Sequence, residues 1–363
     1  MDEKLKDIAP ELPVTNKWHS THPIRISHLL EHTAGLTDLT SNEFDFNEPL
    51  TLEDAFKRGP ERVKQWPPGF HHSYTNVGAG ILAYVIQKRS GQAYEDFIAQ
   101  RIFEPLNMTP ASYFPDEKTM QQLATGYNTD GYSIIPYWQM TFRAFGAINL
   151  KPKDMASFLQ LLLNKGLYQD QRLVSSTLIE LMETPTSILA AQSGLQFGYG
   201  AGMYTFLHEG FVFYGHGGDG DGYLAHYGYN RETEMAYFVI INVFRKSDLV
   251  KIRHLIEDFI TRTLPQPKFH SVKLKKDELK QFAGTYKTTT WRFPGTQKQI
   301  RIMLKKDELL LMRQKGKATI LVPVTKQHFR LENEPIATMA FVRDEKDRLF
   351  FQTAFGNYQK IDD

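Results

Sequence analysis

The spacing of hydrophobic residues predicts helices in the first half of the chain and strands in the second. After Asn76, apolar residues recur at helical spacing at positions 77, 81, 82, 85 and 86, and Ser90 and Gly91 end the stretch. A second helix with one apolar face is predicted between Pro152 and Gly166. Five further helices are predicted. The first covers 24–32 with Ser27 as N-cap, the second follows a capping box at 51–54, and the third runs from about 93 to 104. The fourth starts from a cap at Thr177, and the fifth runs from Ser247 to 260.

From residue 197 the pattern changes to short strands. Four are predicted at 197–206, 211–214, 223–229 and 235–243, separated by Gly-rich or charged turns. Helices followed by hairpin-linked strands predict an α+β fold, an antiparallel sheet covered by helices rather than a series of βαβ units. After a linker at 265–267, seven more strands predict a small β-barrel or sandwich: 284–288, 299–304, 308–312, 318–322, 328–331, 337–342 and 348–353.

Composition adds the expected division of the chain and excludes some functions. A chain of 363 residues with 41% hydrophobic residues is long enough for two domains, here 1–264 and 265–363. The net charge of +2 argues against a nucleic-acid partner, although 265–363 carries 20 Lys+Arg against 11 Asp+Glu. The absence of cysteine excludes disulfides, thiol catalysis and cysteine-bound zinc. No apolar run approaches the length of a membrane span and no signal region follows Met1, so the compartment stays open.

Two short motifs suggest chemistry that their context does not favour. His28-Leu29-Leu30-Glu31-His32 matches a zinc-hydrolase pattern, in which two histidines four residues apart bind zinc and the glutamate acts as base. Leu29 and Leu30 are typical of a core, however, so zinc hydrolysis at His28 and His32 is a lesser alternative. Residues 215–220 contain G-x-G-x-x-G, but a strand follows instead of a helix, so neither a dinucleotide nor another cofactor is predicted.

A third candidate combines a loop with a strand. Two prolines and Gly69 break the chain before Tyr74, which predicts a rigid loop ahead of the helix at Asn76. Glycines on both sides of His216 allow a ligand to approach that strand closely. A phenol facing a histidine would suit proton transfer in acyl chemistry. The alternative is structural, with Asn76 as an N-cap and Tyr74 as a packed aromatic residue.

These residues resemble the motifs of the β-lactamase-related serine hydrolases, a family with class C β-lactamases, penicillin-binding-protein-like peptidases, D-aminopeptidases and esterases. Residues 24–36 resemble its H-L-L-x-H-T-S-G-L signature, which makes the histidine pair there a structural feature. Residues 68–76 resemble its P-G…Y-x-N motif, and 216–218 resemble the H-x-G variant of its lysine-threonine-glycine strand. Residues 90–91, 105–108 and 154–156 resemble further landmarks, and 279–286 resemble the start of the lipocalin-like barrel often appended to this family.

The resemblance implies a β-lactamase/transpeptidase-like fold and assigns roles to five residues. Tyr74 would be the catalytic acid/base and His216 would act with it, while Asn76, Gly217 and Gly218 would bind the substrate, a small molecule or peptide. The reaction would form and hydrolyse an acyl-enzyme. His216 in place of lysine favours a peptidase or esterase over a β-lactamase.

The family's nucleophile motif, Ser-x-x-Lys, is missing from the sequence, because no serine is followed by lysine three residues later. This chain is therefore expected to lack the N-terminal part of the fold, including the nucleophile helix. It is also expected to be inactive as written. It would be a fragment, a natural truncation, or a protein whose nucleophile helix comes from a second chain. A non-catalytic ligand-binding or scaffold protein that uses the remaining cleft is the alternative.

Overall fold

The structure is a computed structural model. It describes residues 1–40, 43, 45–46, 50–63, 66–108, 111–290, 292, 298–313 and 317–361. A π-helical turn, Ala99–Phe103, continues the helix Tyr94–Ile98, and a 3₁₀ turn, Pro152–Asp154, precedes the helix Met155–Leu163. The α-helices in these ranges are α1 (Leu5–Ile8), α2 (Ile26–Leu30), α3 (Leu52–Arg58), α4 (Asn76–Ser90), α5 (Tyr94–Ile98), α6 (Glu117–Met120), α7 (Met155–Leu163), α8 (Ser176–Glu183), α9 (Leu189–Gln192), α10 (Lys246–Thr261) and α11 (Lys276–Lys280).

The strands form a four-stranded sheet, a closed barrel and several two-stranded pairs. Eight short strands form the pairs β1-β3, β2-β6, β4-β5 and β7-β8: β1 (Val14–Thr15), β2 (Asp45–Phe46), β3 (Arg62–Val63), β4 (Gly126–Tyr127), β5 (Ile134–Ile135), β6 (Gln139–Met140), β7 (Leu167–Tyr168) and β8 (Gln171–Arg172). The sheet is antiparallel in the order β12-β11-β10-β9, built from β9 (Tyr204–His208), β10 (Phe211–Gly220), β11 (Tyr223–Asn230) and β12 (Met235–Ile241). The barrel strands follow each other in chain order: β13 (Gly284–Thr288), β14 (Gln299–Lys305), β15 (Glu308–Met312), β16 (Thr319–Pro323), β17 (His328–Leu331), β18 (Met339–Arg343), β19 (Leu349–Thr353) and β20 (Asn357–Ile361).

The α+β class and the C-terminal barrel are therefore confirmed. The core of the first part surrounds α4, where Val77 and Ile81 are completely buried. The barrel has its own core, in which Phe329, Phe341 and Phe351 pack against one another. The boundary between 264 and 265 stays a prediction. Within the described ranges, no helix combines the length and apolarity that crossing a membrane requires.

Three predicted helix starts were wrong by two residues. The N-cap of α2 is Arg25 instead of Ser27, and that of α8 is Ser175, whose hydroxyl accepts the Leu178 amide at 3.2 Å. The N-cap of α10 is Arg245, so Ser247 lies inside that helix. Of these three residues only Ser175 caps through its side chain, whereas Arg25 and Arg245 make no side-chain capping hydrogen bond, so the preference for a polar cap did not mark those two starts. The predicted start of α3 at residue 51 and the predicted stop of α4 at Gly91 (φ +70°) are confirmed.

The strand predictions needed three larger corrections. The first sheet strand begins at Tyr204 instead of 197, because the preceding glycines turn the chain, with φ of +93° at Gly202. Strand β10 continues to 220, so the glycines after His216 lie within a strand and pair with β11. The barrel also has an eighth strand, β20, which closes it by pairing with β13. Its sequence is too polar to give a strand signal.

Candidate active site

The loop 67–75, here called the Tyr74 loop, is fixed against the end of α2. The Ser73 amide donates to the carbonyl of His32 at 2.8 Å, and the Gly69 amide donates to the carbonyl of Thr33 at 3.0 Å. Gly69 has φ +85°, and a Cβ there would lie 3.0 Å from Nε2 of His28, so this position needs glycine. The H-L-L-x-H-T segment thus supports the loop that carries Tyr74.

The two histidines of that segment are engaged in holding the backbone. Nδ1 of His28 accepts the Arg25 amide at 3.2 Å, and Nδ1 of His32 accepts the Thr75 amide at 3.3 Å. Burial holds the pKa of His32 well below its usual value, so the ring is neutral and accepts. These contacts give the pair a structural role and do not support zinc hydrolysis there.

The start of α4 is held by a buried carboxylate that sequence reasoning missed. Oδ1 of Asp38 accepts the amide of Asn76 at 2.7 Å and that of Val77 at 3.4 Å. A carboxylate at this position complements the positive end of the helix dipole. The N-cap itself is Thr75, whose hydroxyl accepts the Gly78 amide at 3.3 Å, so the alternative of Asn76 as N-cap was wrong.

An arginine from the barrel's first hairpin completes this arrangement. Nε of Arg292 donates to Oδ2 of Asp38 at 2.7 Å, and the carboxylate side chain is only 1% exposed. The guanidinium carbon of Arg292 lies 4.7 Å from the centre of the Tyr74 ring, within the range of a cation–π interaction. A positive charge therefore lies directly beside the predicted acid/base.

Four rings face one another at what we call the Tyr74 site: Tyr74, Tyr199, Tyr204 and His216. The ring centres of Tyr74 and His216 are 6.1 Å apart, and those of Tyr204 and His216 are 5.4 Å apart. The hydroxyl of Tyr199 lies 2.8 Å from Nε2 of His216, while Nδ1 of His216 donates to the Gly217 carbonyl at 2.5 Å. Since Nδ1 carries the proton, Nε2 must accept from Tyr199.

Burial sets the protonation states of these rings. It lowers the pKa of His216 and raises that of Tyr199, so both are neutral near pH 7. Burial also raises the pKa of Tyr74, and the charge of Arg292 opposes this shift. The site therefore offers a neutral phenol, able to donate a proton, beside a neutral imidazole.

A directed hydrogen-bond chain leads from the site through the sheet. The Tyr204 hydroxyl lies 3.1 Å from Nε2 of His226, and Nδ1 of His226 lies 3.0 Å from the Tyr237 hydroxyl. Tyr237 donates its proton to the carboxylate of Glu257. Consequently Nδ1 of His226 donates to Tyr237, and Nε2 accepts from Tyr204. Burial lowers the pKa of His226 to about 3, which keeps the ring neutral.

The barrel also contributes to the surroundings of the Tyr74 loop. Nε2 of Gln352 donates to the Phe70 carbonyl at 2.8 Å, and Nδ2 of Asn357 donates to the His72 carbonyl at 2.7 Å. Phe355, in the turn between β19 and β20, lies 5.6 Å from the ring centre of Tyr204. The Tyr74 site is thus built from both ends of the chain.

The structure brings the predicted site residues Tyr74 and His216 together, with Asn76 buried at the first position of α4. Gly217 and Gly218 pair with β11, and a Cβ on Gly217 would lie 3.4 Å from the His226 ring. The catalytic and binding roles of these five residues stay predictions. Sequence reasoning missed Asp38, Tyr199 and Arg292. Glycines on both sides of Tyr199 were an available signal, whereas no local pattern marks the other two.

Comparison with known proteins identifies the family. The Beta-lactamase family model matches residues 2–259, and the chain belongs to this family of serine-hydrolase-like proteins. The putative penicillin-binding protein PbpX of Bacillus subtilis is 29% identical over 205 residues, which cover 56% of this chain and 49% of that protein. The chain therefore spans about half the length of this curated relative.

Solved structures share the fold. The octameric penicillin-binding protein homologue from Pyrococcus abyssi aligns with 99% of this chain and 82% of its own, at 21% identity and a TM-score of 0.53. The D-amino acid amidase from Ochrobactrum anthropi SV3, solved with D-phenylalanine, aligns with 72% of this chain and 83% of its own, at 21% identity and a TM-score of 0.54. At these identities the similarity concerns the fold alone.

Proposed function

We propose that this chain forms the substrate-recognition part of a β-lactamase-family site for small amides or esters, and that the polypeptide alone does not hydrolyse them. The observation that carries the proposal is the meeting of Tyr74 with His216, at 6.1 Å between ring centres, on the two motifs that the family uses for its chemistry. Tyr74 would donate a hydrogen bond to the ligand, and the strand after His216 would align the ligand backbone.

The proposed absence of turnover is supported by the sequence of this chain. Acyl transfer needs a nucleophile within hydrogen-bond reach of a base, and no serine here has lysine three residues on. Ser73 is the serine next to Tyr74, but Ser73 is buried and its backbone amide donates to the carbonyl of His32. A site that has a proton donor and no nucleophile can bind a ligand but cannot form an acyl-enzyme.

The proposed substrate class is an amide or peptide with a D-amino acid rather than a β-lactam. Where the family's β-lactamases have lysine, this chain has His216, whose burial keeps it neutral, so it offers no cation to a ligand carboxylate. A D-amino acid amidase with the same fold supports the choice of amide.

Two measurements on the purified chain test the proposal. Intact mass after exposure to a fluorophosphonate, and separately to a penicillin, should show no adduct. Titration calorimetry should show binding of D-phenylalanine amide, weakened about 3- to 10-fold in Tyr74→Phe, the value of one hydrogen bond. Tyr132→Phe, at a tyrosine that is 86% exposed, is the matched control and should bind unchanged.

Each result has a clear meaning. A stoichiometric adduct mapped to a serine would overturn the absence of turnover. Failure to bind the amide, or equal binding by Tyr74→Phe, would overturn the recognition role. Binding without any loss of the amide on prolonged incubation would identify a ligand-binding protein.

A further inference from the structure

On the side of the sheet covered by α10, two histidines and a glutamate come together outside the family motifs. His208 is the last residue of β9, and His254 and Glu257 are three residues apart on α10, so they share a helix face. One ligand atom from each lies within 4.8 Å of the others, and in the described ranges this is the one such group found. The rings of His208 and His254 are 4.8 Å apart between centres.

The carboxylate of Glu257 is incompletely satisfied. The residue is completely buried, and its Oε1 accepts from Tyr237 and from Nη2 of Arg253 at 3.2 Å. Its Oε2 has no hydrogen-bond partner among the described residues, although Nδ1 of His208 lies 3.3 Å away. A buried carboxylate oxygen without a partner is costly, so Oε2 calls for a positively charged neighbour.

The other side of His208 fixes where its proton is. Nε2 of His208 lies 2.6 Å from Oδ1 of Asp258, a hydrogen bond in which the ring nitrogen donates. In the neutral ring, Nδ1 then directs a lone pair toward the carboxylate of Glu257. Two lone pairs 3.3 Å apart repel unless a proton or a metal cation lies between them. Ligands about 2.0–2.1 Å from a tetrahedral zinc are about 3.3–3.4 Å apart, which matches this separation.

We propose that Nδ1 of His208, His254 and Oε2 of Glu257 bind one divalent transition-metal cation, with zinc as the representative. Two imidazoles and one carboxylate suit zinc better than magnesium or calcium, which prefer oxygen ligands. Because His254 is exposed, its ring is free to rotate onto the ion and solvent can fill the fourth position.

The surrounding charges are compatible with a divalent ion. Asp258 is a positioning residue that orients His208 through the second ring nitrogen, as carboxylates commonly do beside zinc. The positive charge of Arg253 is shared with Oε1 of Glu257, which leaves Oε2 for the ion. The ion would tie α10 to the end of β9, next to the hydrogen-bond chain that reaches Tyr204. This inference does not depend on the proposed function.

Zinc binding to the full chain, carrying no histidine tag, tests the site. Equilibrium dialysis with metal analysis and titration calorimetry with zinc chloride should give one zinc per chain, and zinc should raise the melting temperature. His254→Ala changes an exposed side chain, so it should fold normally and bind zinc at least 10-fold more weakly. Asp258→Asn should weaken zinc binding about 10- to 100-fold while leaving the three ligands in place.

The matched control is His19→Ala, which removes an exposed histidine elsewhere and should bind zinc like the unchanged chain. Absence of zinc binding at 100-fold molar excess would overturn the proposal. A folded His254→Ala variant that binds zinc as well as the unchanged chain would also overturn it.

Discussion

Gln352 connects the barrel to the Tyr74 loop, and its replacement by alanine should loosen that loop. The residue is completely buried. Its Nε2 lies 2.8 Å from the Phe70 carbonyl and 3.1 Å from Nδ1 of His71, and its Oε1 accepts the Ala190 amide at 2.8 Å. One side chain thus joins a barrel strand, the Tyr74 loop and the first turn of α9.

Gln352→Ala would leave two backbone groups without a partner, the buried Ala190 amide and the part-buried Phe70 carbonyl. Each such group costs about 1–3 kcal/mol, so the predicted loss is about 2–6 kcal/mol in the free energy of unfolding. For a folding unit of 150–250 residues, each kcal/mol lowers the melting temperature by about 2–4 °C. The variant should therefore melt many degrees below the unchanged chain and bind D-phenylalanine amide more weakly.

Thermal and urea unfolding followed by circular dichroism measure this loss. Gln299→Ala is the control, because Gln299 is an exposed glutamine on barrel strand β14, and its replacement should change stability by less than about 0.5 kcal/mol. A loss below about 1 kcal/mol in Gln352→Ala would refute the reasoning. It would mean that the contacts of the Tyr74 loop with α2 are sufficient to hold it.

Three further predictions concern the same region. Asp38→Ala should lower the free energy of unfolding by about 1–3 kcal/mol, because α4 loses its buried acceptor. Asp38→Asn keeps an oxygen and should lose less stability. Equal melting temperatures for both variants and the unchanged chain would contradict this prediction. Burial lowers the pKa of His71 and that of His72 to about 4, so below pH 6.5 the unfolded chain binds protons that the folded chain does not. Stability should fall from pH 6.5 to 4, by up to about 3 kcal/mol per histidine, and a flat profile in pH-dependent urea titrations would disprove it. Gly215→Ala should unfold at a lower temperature than Gly217→Ala. A Cβ added at Gly215 would lie 2.1 Å from the Tyr227 carbonyl oxygen, whereas a Cβ added at Gly217 would have its nearest neighbouring atom at 3.4 Å. Identical melting curves for the two variants would contradict this explanation.

Elements encoded in one contiguous stretch were predictable from the sequence. Helix α4 was predicted with its stop at Gly91 and its start one residue from the observed cap, Thr75, because its apolar spacing and Gly91 all lie within 17 residues of chain. Seven barrel strands were found for the same reason, since alternation and turn residues are local signals. The start of β9 was missed because the aromatic residues around Tyr199 look like a strand, while the neighbouring glycines actually turn the chain.

The Tyr74 site was predictable only in part. The motifs around Tyr74 and His216 suggested that the two would meet, and the structure places their rings 6.1 Å apart. The pairing of Asp38 with Arg292 joins residues separated by 254 positions, and no local pattern encodes such a contact. The cluster at His208 was missed for the same reason, since its third member comes from a strand distant in sequence from α10.

The ion pair between Asp38 and Arg292 also sets the order of events during synthesis. A ribosome makes the chain from its N-terminus at about 5–20 residues per second, so about 10–50 s pass between the two partners, which are 254 residues apart. Throughout that interval Asp38 is a nascent carboxylate without its cation, and Tyr74 lacks the guanidinium above its ring. The Tyr74 site therefore forms only after translation has passed residue 292, and a chain truncated before that residue would lack the cation beside Tyr74.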